Sequence, residues 1–318
     1  MRSINVLARI IKVRRLVNRI KPDIINAHFI STNGFLGVTS GFRPLVLTAW
    51  GSDILLLPKQ NLYWRSLVKY ALKRADPVTC DSEVLKRRLV GLGVDPTKIR
   101  IIYHGTDTQK FKPQSGKEFR ARLGLQGVPL VISTRKLRPI YNVEMLVRAV
   151  PLILERIPQA SFIIAGDGEQ MEHLEKLTAS LGASKNVRFV GWISQDELPG
   201  CLASADIYVS TSFSDSTSLS LQEAMACELA PVVTDLPANR EWVKDGENGF
   251  IVPIDNPQAL AEKIVYLIEN KEIRQRFSKE SRKIIKGRAE YDKEMRKVEK
   301  LYEEIVGEQK PSKKKFRA

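Results

Sequence analysis

Ala205-Asp206-Ile207-Tyr208-Val209-Ser210-Thr211-Ser212-Phe213-Ser214-Asp215-Ser216-Thr217-Ser218-Leu219-Ser220-Leu221-Gln222-Glu223-Ala224-Met225-Ala226 reads as a short buried strand, a turn of small hydroxyl residues and a short helix. Ala205 to Val209 form the strand, and Leu219, Leu221, Ala224, Met225 and Ala226 give the helix its apolar face. The turn carries no proline, so backbone N–H groups remain at the helix N-terminus. Unpaired donors and the helix dipole there both favour an anion. Asp215 lies just ahead of the helix and Glu223 inside it, which suits a ligand that is part phosphate and part polyol. On spacing alone a structural reading stands equal: Ser214 or Asp215 caps the helix and Glu223 is solvated.

Outward from this stretch, strands and helices alternate. Lys21 to His28 read as a turn and a short strand, and further strands are expected near 44–49, 77–80 and 98–103, and again at 128–134, 160–165, 186–190, 206–210, 230–233 and 249–252, with helices between them. The rhythm predicts doubly wound parallel sheets, whose ligands gather at the carboxyl ends of strands. The polar run Lys110 to Gln126 reads as the interdomain connection. The domains expected are 1–112, 113–285, a helix over 286–306 and a basic disordered tail over 307–318.

The chain has 318 residues, of which 43% are hydrophobic and 27% charged, the balance of a soluble enzyme with room for two cores. Its three cysteines, Cys80, Cys201 and Cys227, lack metal-like spacing and fit a reduced compartment. Three histidines argue against a structural metal site, and no metal is expected. No stretch is long and apolar enough to cross a bilayer. A net charge of +15 admits nucleic acid, acidic lipid headgroups or anionic substrates as partners. Nucleic acid ranks last, because no basic–aromatic module accompanies the charge. Residues 2 to 20 read as a helix, and Arg2, Arg9, Lys12, Arg14, Arg15, Arg19 and Lys21 precede the first acid, Asp23. Two readings fit: a helix covering a parallel sheet, or an interfacial helix on anionic lipid.

Asp215 and Glu223, with seven residues between them, resemble the acid-x7-acid signature of the retaining glycosyltransferases of family 4, in which the first acid is usually Glu. The continuation Glu223-Ala224-Met225-Ala226-Cys227-Glu228-Leu229-Ala230-Pro231-Val232-Val233 is similar to that family's as well. So are His104-Gly105-Thr106-Asp107-Thr108-Gln109-Lys110-Phe111, Ala165-Gly166-Asp167-Gly168, Val190-Gly191-Trp192-Ile193 and Asn248-Gly249-Phe250-Ile251-Val252, in family order. The resemblance implies an α/β fold of two Rossmann-like domains facing across a cleft, the GT-B arrangement. The first domain is expected to be shortened, lacking the family's opening strand and glycine-rich loop. A misplaced start, a split gene and a shortened protein all fit that reading.

The resemblance also implies roles. Glu223 would bind the ribose, Asp215 the hydroxyls of the donor sugar, and Ser216, Thr217, Ser218 and Leu219 would face sugar and phosphate. Gly166, Gly168 and Trp192 would belong to the nucleotide site. The family's Gly-Arg-Leu-x-x-x-Lys-Gly cations fall on Arg135-Lys136-Leu137-Arg138-Pro139-Ile140-Tyr141-Asn142, with Lys136 on its Arg and Tyr141 on its Lys. Arg135 or Arg138 is the candidate to replace the missing cation. Trp50-Gly51 stands where the family often has His-Gly, which leaves His28 and Asp53 as candidate contacts beside a purely structural reading of His28.

The function implied is retaining, metal-independent transfer of a sugar from a nucleotide-sugar, without a further cofactor, to a glycan, lipid-linked or small-molecule acceptor in polysaccharide biosynthesis. The expected location is cytoplasmic, peripheral on the inner face of an anionic membrane, with activity impaired by the missing segment. The alternative is a truncated, non-catalytic nucleotide-sugar-binding or scaffold protein.

Overall fold

A computed structural model describes residues 3–309. It comprises two compact units, residues up to 104 together with those from 292 onward, and residues 105–291. The division thus falls at 104/105 and 291/292, not at 112/113. Residues 105–111 are fastened within the second unit: Thr106 N–H donates to Ala289 C=O at 2.7 Å and Tyr291 N–H to Thr106 C=O at 3.1 Å. The Arg282 guanidinium donates to the carbonyls of Phe111 (3.1 Å) and Thr108 (3.3 Å) and to that of Ala226. Of the expected tail, 310–318 lie outside the described residues, whereas 307–309 continue the last helix.

The first unit opens with α1 (Ser3–Ile20), β1 (Ile25–His28), α2 (Phe35–Ser40) and β2 (Leu45–Thr48). It continues through α3 (Leu62–Leu72), β3 (Val78–Cys80), α4 (Glu83–Gly91) and β4 (Ile99–Ile101). The four strands are parallel, in the order β1-β2-β3-β4. Leu45, Leu47, Val78 and Ile99 meet Val68, Ala71, Leu85 and Leu89 in one apolar core. Helix α1 sets Val6, Ile10, Val13 and Val17 half-buried at helical spacing, and its main packing is with α2, to which Arg14 Nε ties it through Thr39 C=O at 2.7 Å. It therefore rests chiefly on a helix, where the covering-helix reading expects a sheet. The last described helix, Tyr291–Gln309, returns to this unit and offers Glu294 to Tyr103 N–H at 2.9 Å.

The second unit begins with a finding against the composition. The polar run expected to be a connection contains α5 (Lys117–Leu123), with Phe119 and Leu125 buried. Arg120 holds it in place, donating to Ser204 C=O (2.6 Å), Val128 C=O (2.7 Å) and the Asp206 carboxylate (2.9 Å). Two apolar anchors and one arginine suffice to fold a segment whose average polarity reads as linker.

Next come β5 (Leu130–Ser133), α6 (Val143–Leu154), β6 (Ser161–Ala165), α7 (Met171–Ser180), β7 (Val187–Gly191) and α8 (Leu198–Ala203). They are followed by β8 (Ile207–Ser210), α9 (Leu219–Ala226), β9 (Ala230–Thr234), β10 (Phe250–Val252), α10 (Pro257–Glu269) and α11 (Lys271–Arg288). The parallel sheet runs β10-β9-β8-β5-β6-β7. Strand order therefore reverses direction between β5 and β8. That switch point leaves a crevice at the carboxyl ends of the strands, where such sheets receive ligands.

Candidate functional site

The loops after β5 and β8 start from neighbouring strands, so residues 80 apart in sequence meet. Arg135, just past β5 and only 8% exposed, donates from Nη2 to the Asp215 carboxylate at 2.6 Å. Its Nη1 reaches Ser218 Oγ at 2.5 Å and Ser220 Oγ at 3.0 Å. The guanidinium also lies 4.2 Å from the Tyr141 ring centroid. A buried cation demands such company, because its desolvation is offset only by a paired charge and several hydrogen bonds. One donor is left over: Arg135 Nε is buried with no acceptor in the structure.

The cap of α9 is Ser218, whose Oγ accepts from Leu221 N–H at 3.3 Å. Neither Ser214 nor Asp215 holds that position; Asp215 is engaged by Arg135 instead. Ser220, one turn-residue inward, joins the network by accepting from Tyr208 Oη at 2.8 Å. Nothing in the sequence singled out Ser220, since its partners Arg135 and Tyr208 lie just past β5 and on β8, two neighbouring strands.

Glycine fixes the floor. A Cβ on Gly166 would sit 2.4 Å from Arg135 C=O, and one on Gly168, at φ +152°, would sit 2.3 Å from Leu137 C=O. No side chain fits there, so the loop after β6 lies backbone against backbone on the loop after β5. Leu137 N–H donates to Asp167 C=O at 2.8 Å and Gln170 N–H to Leu137 C=O at 3.0 Å, locking the two loops together.

Above them opens a cavity of about 300 Å³ lined by Arg135, Lys136, Tyr141, Gly166, Trp192 and Glu223, among others. Lys136 is exposed and Trp192 is 66% exposed at the rim. Glu223 is 5% exposed, and burial pushes its carboxyl up to about 7, with Lys110 pulling in the opposite direction. Lys110 is far from Glu223 in the chain, so no local pattern signals it as a charge neighbour; Tyr141 reaches Arg135 only through the fold of the loop between them, which turns at Pro139–Tyr141. Of the residues expected from sequence, Arg135, Lys136, Gly166, Trp192, Leu219 and Glu223 share this cavity. Asp215, Gly168, Ser216, Thr217 and Ser218 are not part of its lining; Asp215 and Ser218 stand behind it as partners of Arg135, and Gly168 carries the loop contact. Arg138 is an exposed residue before the 3-10 turn Pro139–Tyr141 and is likewise absent from the lining.

The first unit has its own cavity at the strand ends, about 170 Å³, lined by Asn26, His28, Thr48, Trp50, Thr79 and Tyr302, among others. Its polar groups answer one another. Asn26 Nδ2 donates to Tyr302 Oη at 2.6 Å, and Thr48 Oγ1 to Asn26 Oδ1 at 2.9 Å. Trp50 Nε1 donates to His28 Nδ1 at 2.9 Å and stands edge-on to His104. Burial lowers both His28 and His104 below the ordinary histidine value. Asp53 is fully buried and accepts from Ile30 N–H at 2.8 Å and Trp50 N–H at 3.0 Å, the work of a loop clamp rather than of a ligand contact.

Residues 116–284 match the family model described as glycosyl transferases group 1, and residues 1–82 match one described as glycosyl transferase 4-like. Among curated relatives, the putative glycosyltransferase EpsD of Bacillus subtilis is 30% identical over 183 residues, 56% of this chain and 48% of that protein. The UDP-Gal:alpha-D-GlcNAc-diphosphoundecaprenol alpha-1,3-galactosyltransferase of Escherichia coli is 26% identical over 313 residues, 93% of this chain and 79% of its own. Matched lengths thus range from about half to about four-fifths of these relatives. Among solved structures, Anabaena HepE in complex with UDP superposes with a TM-score of 0.83 at 23% identity, covering 93% of this chain and 82% of that one. The fold class is therefore α/β with two Rossmann-like domains, as in the GT-B neighbours.

Proposed function

Because the chain belongs to the glycosyl transferases group 1 family, we propose that it moves a sugar from a nucleotide-sugar to a lipid-linked acceptor, with retention of configuration and without a metal. The carrying observation is the buried Arg135 at the switch point, beside a cavity that holds Lys136, Trp192 and Glu223. In this reading the diphosphate lies against Arg135 and Lys136, and Glu223 accepts from the ribose hydroxyls. Trp192 flanks the base. As the bond from the sugar to the diphosphate breaks, negative charge grows on the leaving oxygen, and fixed cations in a dry site lower that barrier most. Tyr141, in the place of the family's lysine, acts as a shelf that holds the Arg135 cation by its ring face. An arriving diphosphate competes with Asp215 for that guanidinium, which releases the carboxylate toward the donor sugar.

Uridine is the base favoured, since HepE was solved with UDP and with UDP-glucose. A lipid-linked acceptor is favoured by the name of the Escherichia coli relative. One observation supports a second reading, binding without transfer: Asp215 is already paired with Arg135. The test is incubation with labelled UDP-sugars and a diphosphoundecaprenol-linked glycan, with and without chelator, followed by NMR assignment of the new anomeric centre. An α-linked product that survives chelation is expected. UDP binding without any product favours the second reading, and no UDP binding overturns both.

A further inference from the structure

Helices α1 and α3 form an acid-free surface on the first unit. Ser3–Ile20 carries Arg9, Lys12, Arg14, Arg15 and Arg19, and the segment between Asp53 and Asp76 carries Lys59, Arg65, Lys69, Lys73 and Arg74; neither contains an acid. Arg9, Lys12, Arg15, Arg19, Arg65 and Lys69 are exposed and form no ion pair with a described residue. Asp76, which ends the run, is taken up by Arg43 at 2.6 Å.

The same surface carries large apolar side chains that a free charged face has no reason to display. Leu62 is 77% exposed, Tyr63 63% and Leu7 62%, and Ile11 and Tyr70 are exposed too. The two helices adjoin: Val6 and Arg9 of α1 share a small groove with Phe35, Tyr63, Trp64 and Leu67. On α1 the packed stripe Val6, Ile10, Val13 and Val17 leaves Lys12, Arg15 and Arg19 on the opposite side, with Leu7 and Ile11 flanking. Cations on the outside, aliphatic and tyrosine side chains beside them and no acid within either segment are the chemistry of a surface that enters the headgroup layer of an anionic bilayer.

We propose that the α1–α3 face is a peripheral docking surface for anionic lipid, with Lys12, Arg15, Arg19, Arg65 and Lys69 meeting the headgroups and Leu7, Leu62 and Tyr63 entering the acyl boundary. Attachment is peripheral, because no helix is long and apolar enough to cross a membrane among the described residues. Lipid fits better than nucleic acid, since exposed leucines gain nothing on a phosphodiester backbone. The residues involved are remote in sequence from Arg135, Lys136 and Glu223, so docking and nucleotide binding are separately measurable.

The test uses the full chain and sedimented vesicles of phosphatidylcholine with or without phosphatidylglycerol. Wild type is expected to bind only the anionic vesicles, less so as salt rises. Arg15→Glu with Arg19→Glu should lower the partition coefficient about tenfold or more, given the strength of each cation at a charged surface. Leu62→Ser with Tyr63→Ser should keep the low-salt encounter and lose the part that survives high salt. These side chains are exposed, so thermal midpoints and UDP affinity should not move in either variant; an unchanged midpoint shows that a binding loss comes from the surface. Equal binding to neutral and anionic vesicles overturns the proposal. So does wild-type binding by the charge-reversed variant, or tight binding to single-stranded RNA with none to vesicles.

Discussion

Both units end their parallel strands in polar loops, yet the two sets of loops behave differently. In the first unit Thr48, Asn26 and Tyr302 form a chain of hydrogen bonds, Trp50 engages His28, and Asp53 clamps two backbone N–H groups. In the second, burial leaves Glu223 with its carboxyl pushed up to about 7, and Arg135 with one donor unanswered. Polar residues at strand ends therefore do not by themselves mark a site. What marks one is charge held in low dielectric beside open space, with its hydrogen-bonding capacity incompletely used.

The sharpest way to break this comparison is Arg135→Ala. It strands Asp215, Ser218 and Ser220, and losing one member of a buried pair costs about 3–5 kcal/mol. Urea unfolding should show that loss and calorimetry should show no UDP binding; a cost below about 1 kcal/mol would place the pair in water.

The next largest effect is a pH dependence. The folded Glu223 carboxyl titrates at about 7 against 4.5 for its ordinary value. Between these values the folded state holds a proton that the unfolded state has released. Stability is therefore greatest below the lower value and falls as pH rises through the higher one, by on the order of 3 kcal/mol. Glu223→Gln should flatten that slope, measured as the thermal midpoint across the range, and should weaken UDP and uridine alike by about 1.5–3 kcal/mol. A slope that survives the substitution assigns it to another group.

Asp53→Ala supplies the control from the first unit. It leaves the Ile30 and Trp50 N–H groups without their acceptor, so a loss of about 1–3 kcal/mol is expected in unfolding, with UDP affinity unchanged. A fall in UDP affinity would mean that the contrast between the units is too sharply drawn. The smallest effect belongs to Tyr141. Phe should keep the shelf under Arg135, whereas Leu should weaken UDP, and not uridine, by about 0.5–2 kcal/mol. Equal affinities for Phe and Leu would dismiss the ring's role.

The sequence made strands and helices legible where apolar runs are local. All six strands of the second sheet lie within a residue or two of the expected positions. The turn carrying Asp215 and the helix carrying Glu223 were equally readable, because acid and apolar face are neighbours in the chain, although the cap proved to be Ser218 and not Ser214 or Asp215. Two things were not. The segment around α5 looked like linker because Phe119 and Leu125 are sparse among polar residues, and only Arg120's contacts with Ser204, Val128 and Asp206 make it part of a core. The pairing of Arg135 with Asp215 was hidden for a related reason: it spans the switch in strand order, which no periodicity records.

Thr106 and Glu290 pair as an isolated parallel bridge, with Thr106 bonded on either side to Ala289 and Tyr291. The entry and exit of residues 105–291 are thereby pinned at one spot. In genetic terms this makes the second unit a cassette: two junctions brought close by these bonds excise it whole, and neither falls inside an element that lines the cavity of Arg135, Lys136 and Glu223. Recombination between relatives at those junctions would exchange the unit that carries Arg135, Lys136 and Glu223 in a single event and leave the remainder of the coding sequence unaltered. Under the proposed function, nucleotide-sugar preference is then free to be inherited apart from whatever the first unit contributes. A chimera joined at 104/105 and 291/292 is the form in which that inheritance can be reproduced at the bench.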